Sequence, residues 1–170
     1  MILRRLAGFT LIELMIVIMI VGLLSIAGVV SYARWMQNQQ IRTAAEAILN
    51  GMQLARSEAV KRNAPVRFVL GVQTGWTVSV VSDGSQVQAR SAQEGSTNAT
   101  VTVTPNGATT ISFNGFGRVT PNSDGSASIT QLDVDNLRGD RPLRVTVGAG
   151  GTLRMCDPST KLQAGDPRAC

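Results

Sequence analysis

Few side chains in this sequence are of the kinds that do chemistry, and their spacing limits what they can do. The 170 residues contain no histidine, so the usual general base and nitrogen metal ligand are missing. The two cysteines, Cys156 and Cys170, are too few for a zinc site. Asp133 and Asp135 stand two apart in an alternating segment, which puts them on one face of a strand. A solvated strand face explains them better than a catalytic pair. Asn122-Ser123-Asp124-Gly125 lacks the spaced acids and closing glutamate of a calcium loop and reads as a turn. Two features remain. One is Glu13, a single carboxylate inside a long apolar run. The other is a basic tail, in which Arg138, Arg141, Arg144, Arg154, Lys161 and Arg168 face Asp140, Asp157 and Asp166. Arginines suit phosphate oxygens through paired hydrogen bonds. No cofactor is implied by any of these groups.

The element that carries Glu13 begins with Arg4-Arg5, passes Gly8-Phe9 and continues as the apolar run Leu14–Val30. As a helix that run spans about 26 Å, near the lower limit for a bilayer core of about 30 Å. The stretch from Phe9 to Ala33 is ample, and its only formal charge is Glu13. A secretory signal would be shorter and would end in a small-residue cleavage site, whereas Ser25-Ile26-Ala27 lies inside the run. A plain signal anchor accounts for the two arginines. It does not account for Glu13, since a carboxylate at the centre of a membrane helix costs roughly 2.5–3.5 kcal/mol.

Gly8-Phe9-Thr10-Leu11-Ile12-Glu13 resembles the type III signal of type IV pilins and type II secretion pseudopilins. The resemblance implies that a prepilin peptidase cuts between Gly8 and Phe9. It also implies N-methylation of the new Phe9 amine and retention of the apolar segment. Glu13 then becomes the fifth residue, where the family carries its glutamate. A buried carboxylate is tolerable if a cation neutralises it. The nearest candidate is a neighbouring subunit's Phe9 ammonium, so Glu13 is read as an assembly residue.

The helix should not stop at the apolar run. Ile41, Ala44, Ala45, Ile48, Met52, Ala55 and Ala59 recur at helical spacing, and no proline occurs before Pro65. Asn63-Ala64-Pro65 then ends the helix. Tyr32 and Trp35 follow the apolar run as interfacial anchors would. Beyond Pro65 the texture is strand and turn. The strand candidates are 65–70, 76–82, 86–91, 99–104, 109–113, 118–120, 126–135, 142–147 and 152–156. The expected fold class is α+β, a long N-terminal helix packed on an antiparallel β-sandwich. The expected divisions are a cleaved leader over 1–8, a transmembrane or filament-core helix over 9–33, its amphipathic continuation over 34–63, and a β-rich globular domain over 64–170. The chain carries a formal charge of +5, from 16 Lys and Arg against 11 Asp and Glu, which permits anionic partners. In an exported chain the even cysteine pair, Cys156 and Cys170, suits a disulfide. Closing a loop of about 15 residues would add roughly 3 kcal/mol in the chain-entropy model.

Ala55-Arg56-Ser57-Glu58-Ala59-Val60-Lys61-Arg62 and Phe113-Asn114-Gly115-Phe116-Gly117-Arg118 resemble segments of the GspH/FimT family, as does the terminal cysteine pair. That likeness implies a minor pilin of a type IV pilus, at its tip or in its initiation, with other pilins, the prepilin peptidase and the inner membrane as partners. It places the globular domain in the periplasm before assembly. The alternative within the class is a GspH-like pseudopilin of a type II secretion system. FimT-like pilins bind DNA through a C-terminal G-R-x-R motif. Here the matching stretch is Gly151-Thr152-Leu153-Arg154, with Thr152 in place of the first arginine. Arg141, Arg144, Arg154, Lys161 and Arg168 are the residues such a role would use. A membrane-anchored enzyme is the reading outside the class, and the residues give it little support.

Overall fold

The computed structural model describes residues 8–160, 162–163 and 165–170, with the side chains of 26–31 outside that description. A single helix, α1, runs from Leu11 to Arg62 over 52 residues. Thr10 caps it in an extended conformation, and its Oγ1 accepts from the Glu13 backbone N–H at 3.3 Å. At the other end Asn63 adopts the left-handed conformation (φ 49°, ψ 40°), and its N–H closes onto Ala59 and Val60. Asparagine tolerates that conformation better than most residues, and Pro65 cannot continue the helix. Lys61 and Arg62 lie in the last turn, where the helix dipole favours cations. Both reach Glu58, at 3.2 and 2.8 Å. The hydrogen bond from Arg62, then that from Lys61, holds the Glu58 carboxyl below its ordinary value.

The face of α1 expected to be buried is buried: Ile41, Ala44, Ala45, Ile48, Met52, Ala55 and Ala59 have no exposed surface. Two antiparallel sheets pack against it. The first has the order β3(Gln86–Arg90)–β2(Trp76–Val80)–β1(Val66–Leu70)–β5(Thr110–Phe113)–β6(Val119–Thr120). The second has the order β4(Thr100–Thr104)–β7(Gln131–Asp135)–β8(Leu143–Val147)–β9(Leu153–Cys156). Register aligns the core residues into rows. Val78, Phe68 and Ile111 face one another across β2, β1 and β5, and Val103, Leu132 and Val145 do so across β4, β7 and β8. The two sheets and the helix share one hydrophobic core.

Residues 126–130, expected as part of a strand, serve instead as a stitch between the sheets. The Ile129 N–H donates to Thr110 O of the first sheet at 3.0 Å. The Thr130 N–H donates to Thr104 O, and its carbonyl accepts from Val147, both in the second sheet. The preceding turn fixes this path: Asp124 Oδ1 accepts from the Ser126 N–H and hydroxyl, and buried Asn122 donates to Ser126 O and Thr110 O. Those bonds from Ser126 also hold the Asp124 carboxyl below its ordinary value.

Trp76 opens β2, is 4% exposed, and packs on Phe68 with ring centroids 5.8 Å apart. Both rings press on α1 at Gly51, where an added Cβ would lie 2.8 Å from Trp76 and 2.9 Å from Phe68. A glycine inside a helix costs about 1 kcal/mol relative to alanine. Here it makes room for the largest aromatic pair of the core. Gly51→Leu should therefore lower stability by roughly 2–3 kcal/mol despite better helix propensity, because overpacking alone costs 1–3 kcal/mol. A urea midpoint at or above wild type would show that the rings have room to move.

Among the described residues no helix is long and apolar enough to cross a membrane. The described side chains of the apolar run at the start of α1 end at Ser25, about 23 Å from Leu11 at 1.5 Å per residue. The apolar sequence continues through Ile26–Val30, whose side chains fall outside the description.

Candidate functional site

At the N-terminal end Gly8 and Phe9 precede the helix, and Phe9 is 88% exposed. Thr10-Leu11-Ile12-Glu13 has the Thr-x-x-Glu spacing of a capping box, a local signal that the sequence reading passed over. The Thr10 half of the box is made. Glu13 itself is exposed in the first turn, where the helix dipole stabilises a carboxylate. Among the described residues it has no ion-pair partner. Leu11 through Leu24 form an apolar cylinder whose large side chains are roughly half exposed or more. A patch of that size on one chain marks a contact with lipid or protein.

The two globular segments singled out in the sequence meet. Arg56 of α1 donates from Nε to Gly117 O at 3.1 Å. Gly115 sits against Asn63, and Gly117 against Arg56 and Val60. The turn 114–118 is tied by Asn114, whose Oδ1 accepts from the N–H groups of Phe116 and Arg118. Gly151, in the β8–β9 turn, packs directly on the Gly117 carbonyl. One carbonyl thus joins the helix, the first sheet and the second.

The basic tail divides. Arg144 donates to Asp133 across β7 and β8, at 2.6 and 3.0 Å, and that hydrogen bond to the carboxylate raises the guanidinium above its ordinary value. Arg154 lies exposed on β9 and donates to Ala169 O at 3.0 Å. Arg168 pairs with Asp166 at 2.8 Å, and that side-chain hydrogen bond draws the Asp166 carboxyl from 3.8 to about 2. Because the folded value is the lower one, the pair is intact above pH 4 and is lost as pH falls toward 2. Lys161 lies outside the described residues. Cys156 and Cys170 are joined by a disulfide with Cα atoms 5.1 Å apart. The Asp157 N–H donates to Arg168 O and the Cys170 N–H to Asp157 O, so the tail folds back on β9. Arg141 and Arg168 turn toward α1, where with Arg34, Trp35 and Arg42 they line a groove. Among the described residues no group of three or more His, Cys, Asp or Glu could hold a metal ion.

The family model of the type II transport protein GspH matches residues 44–162. This chain belongs to the GspH family. The prokaryotic N-terminal methylation motif matches residues 3–29. No curated protein matches the chain at a significant level. Among solved structures, the type IV minor pilin FimU of Pseudomonas aeruginosa is similar at a TM-score of 0.54 and 16% identity, covering 71% of this chain and 91% of that one. The minor pseudopilin EpsH of the Vibrio cholerae type 2 secretion system gives 0.53 and 18%, over 71% and 98%. Escherichia coli GspH gives 0.51 and 15%, over 74% and 94%. At such identities the likeness shows the fold, a helix packed on antiparallel sheets. The GspH match takes in Arg56, Gly117 and Gly151. It leaves out Arg34, Trp35 and Arg42 at one end and Arg168 and Cys170 at the other.

Proposed function

We propose that this GspH-family chain is a minor pilin, assembled into a type IV pilus at its tip or during initiation. In this reading the prepilin peptidase cuts between Gly8 and Phe9, Phe9 is methylated, and residues 9–33 hold the subunit in the inner membrane. Residues 34–63 continue the helix into the periplasm, and 64–170 form the periplasmic globular domain until assembly. The observation that carries the reading is the exposed apolar cylinder within the methylation-motif match, continuous with a helix whose second half is fixed in a folded core. Such an element can exchange lipid for neighbouring helices without unfolding the rest. The terminal disulfide loop favours the pilus over the type II pseudopilus, and purification of each filament with detection of this subunit separates the two. Mass spectrometry of protein extracted from membranes should find Phe9 as the N-terminus with one methyl group. A retained Met1, or a cut after Ala27, would reject the reading.

A second reading, DNA binding for uptake, draws on exposed Arg154 and Arg141, which no carboxylate pairs among the described residues. Affinity should then be weak, about 10⁻⁴ to 10⁻⁶ M, indifferent to sequence, and steeply reduced by salt. Thr152→Arg should strengthen it and Arg154→Ala weaken it. Silence of both wild type and Thr152→Arg at low salt removes this role.

A further inference from the structure

The groove between α1 and the disulfide-closed tail has the composition of an oxyanion site. Its open space is ≈ 780 Å³. Arg34, Trp35 and Arg42 form the helix wall, Arg141 and Arg168 the opposite wall, and Leu143 and Met155 supply an apolar surface between them. Two acids also line it and keep their charge: Asp140 accepts from Asn38 Nδ2 at 2.8 Å and Asp157 from the Ser159 N–H at 2.8 Å, neutral donors that leave the four guanidiniums as the groups able to bind an oxyanion. Arg42 gives its Nε to Glu46, and Arg168 is paired with Asp166. A guanidinium carries five N–H donors, so both keep donors to spare. Arg34 and Arg141 have no carboxylate partner among the described residues. Two unpaired guanidiniums on facing walls fit an oxyanion bound by paired, charge-assisted hydrogen bonds.

Position selects the anion. Arg34 lies four residues beyond Val30, about 6 Å along the helix. The headgroup layer on each side of a bilayer is roughly 5–7 Å deep. Trp35 is 53% exposed and packs on Tyr32 with centroids 5.8 Å apart, an aromatic pair of the kind that settles at that level. We propose that this groove binds the headgroup phosphate of an anionic phospholipid while the subunit is held in the membrane. The inference rests on the membrane-anchored reading above. The phosphate fixes the rotation of α1 in the bilayer and, through the tail, the face that the globular part turns to the next subunit.

The test uses the full chain in nanodiscs of phosphatidylcholine with and without phosphatidylglycerol. Lipid retention is read by native mass spectrometry. Quenching by headgroup-labelled lipid reports Trp35, since Trp76 is buried. Phosphatidylglycerol should be retained preferentially. Arg34→Gln with Arg141→Gln should weaken that preference about tenfold or more, as expected for lost charge-assisted hydrogen bonds. Arg118→Gln, an exposed arginine of the β5–β6 turn, should leave it unchanged. Glycerol phosphate in solution should compete poorly; equal competition would make this a free-phosphate site and overturn the lipid assignment. Retention that is blind to lipid charge or to the double variant also overturns it, and if the double variant is then lost from filaments, the groove belongs to a neighbouring subunit. A chain that fails to enter nanodiscs defeats the membrane reading instead.

Discussion

Glu13→Ala is expected to leave the chain in the membrane and remove it from filaments. In the single chain Glu13 does little: it is exposed, lies in the first turn of α1, and gains about 0.3–1 kcal/mol from the helix dipole. Its removal makes membrane insertion easier, by up to about 2.5–3.5 kcal/mol. Assembly changes its surroundings. When apolar cylinders pack side by side the carboxylate leaves water, and it is tolerable only beside a cation. In the proposed assembly the candidate is the neighbouring subunit's Phe9 ammonium, which cleavage after Gly8 would free and methylation would leave charged. Removing one member of a buried pair costs about 3–5 kcal/mol, a factor of roughly 10² to 10⁴ in the assembly equilibrium. Glu13→Gln keeps the shape without the charge and should fail nearly as badly, whereas loss of the cap alone would spare it. The measurement is the ratio of subunit in sheared filaments to subunit in membranes. Wild-type incorporation of Glu13→Ala would leave Glu13 as no more than a carboxylate in the first turn of α1.

What the sequence made legible was local, and what it hid was long-range. The end of α1 could be read because Asn63-Ala64-Pro65 stops a helix by backbone chemistry alone. Its buried face could be read because Ile41 to Ala59 repeat every three or four residues. Turn residues marked most strands, since glycine, asparagine and proline punctuate a chain wherever it goes. Pairing was another matter. Nothing near β4 says that it pairs with β7 rather than with β3 or β5. The stitch at 126–130 looks like strand because its residues do pair, but across two sheets. Gly51 reads as a weak point in a helix until Phe68 and Trp76 are placed on it. The basic tail reads as one cluster because sequence proximity ignores side-chain direction. Folding sends Arg144 to Asp133 and Arg154 to the outer face of β9. It sends Arg141 and Arg168 toward Arg34 and Arg42, at the far end of the chain's sequence.

The largest loss of stability from a small change is expected at Gly151→Ala. Gly151 has φ +81°, in the left-handed region where a Cβ costs about 1–2 kcal/mol. The new Cβ would also run into the Gly117 carbonyl oxygen, with the Arg118 Cα at 3.4 Å behind it. That neighbour is backbone and cannot swing aside. Gly117 is fixed by its own positive φ of 71°, and its N–H donates to Asn114 O at 2.8 Å. Relief requires parting the β8–β9 turn from the β5–β6 turn, which adds the 1–3 kcal/mol typical of overpacking. It also strains the Arg56 hydrogen bond to the same carbonyl, worth about 1 kcal/mol. The total, about 3–6 kcal/mol, is a large share of the 5–15 kcal/mol that holds a typical domain. Gly150→Ala is the control: no atom lies within 4 Å of its added Cβ, and the change should stay within about 0.5 kcal/mol. Arg56→Ala alone should cost about 1 kcal/mol and combine less than additively with Gly151→Ala, since both act through one carbonyl. Urea unfolding of the full chain in detergent, followed by Trp76 fluorescence, reads these differences as shifts in midpoint at constant slope. If Gly151→Ala and Gly150→Ala unfold at the same midpoint, the two turns are not in the contact that ties α1 to both sheets.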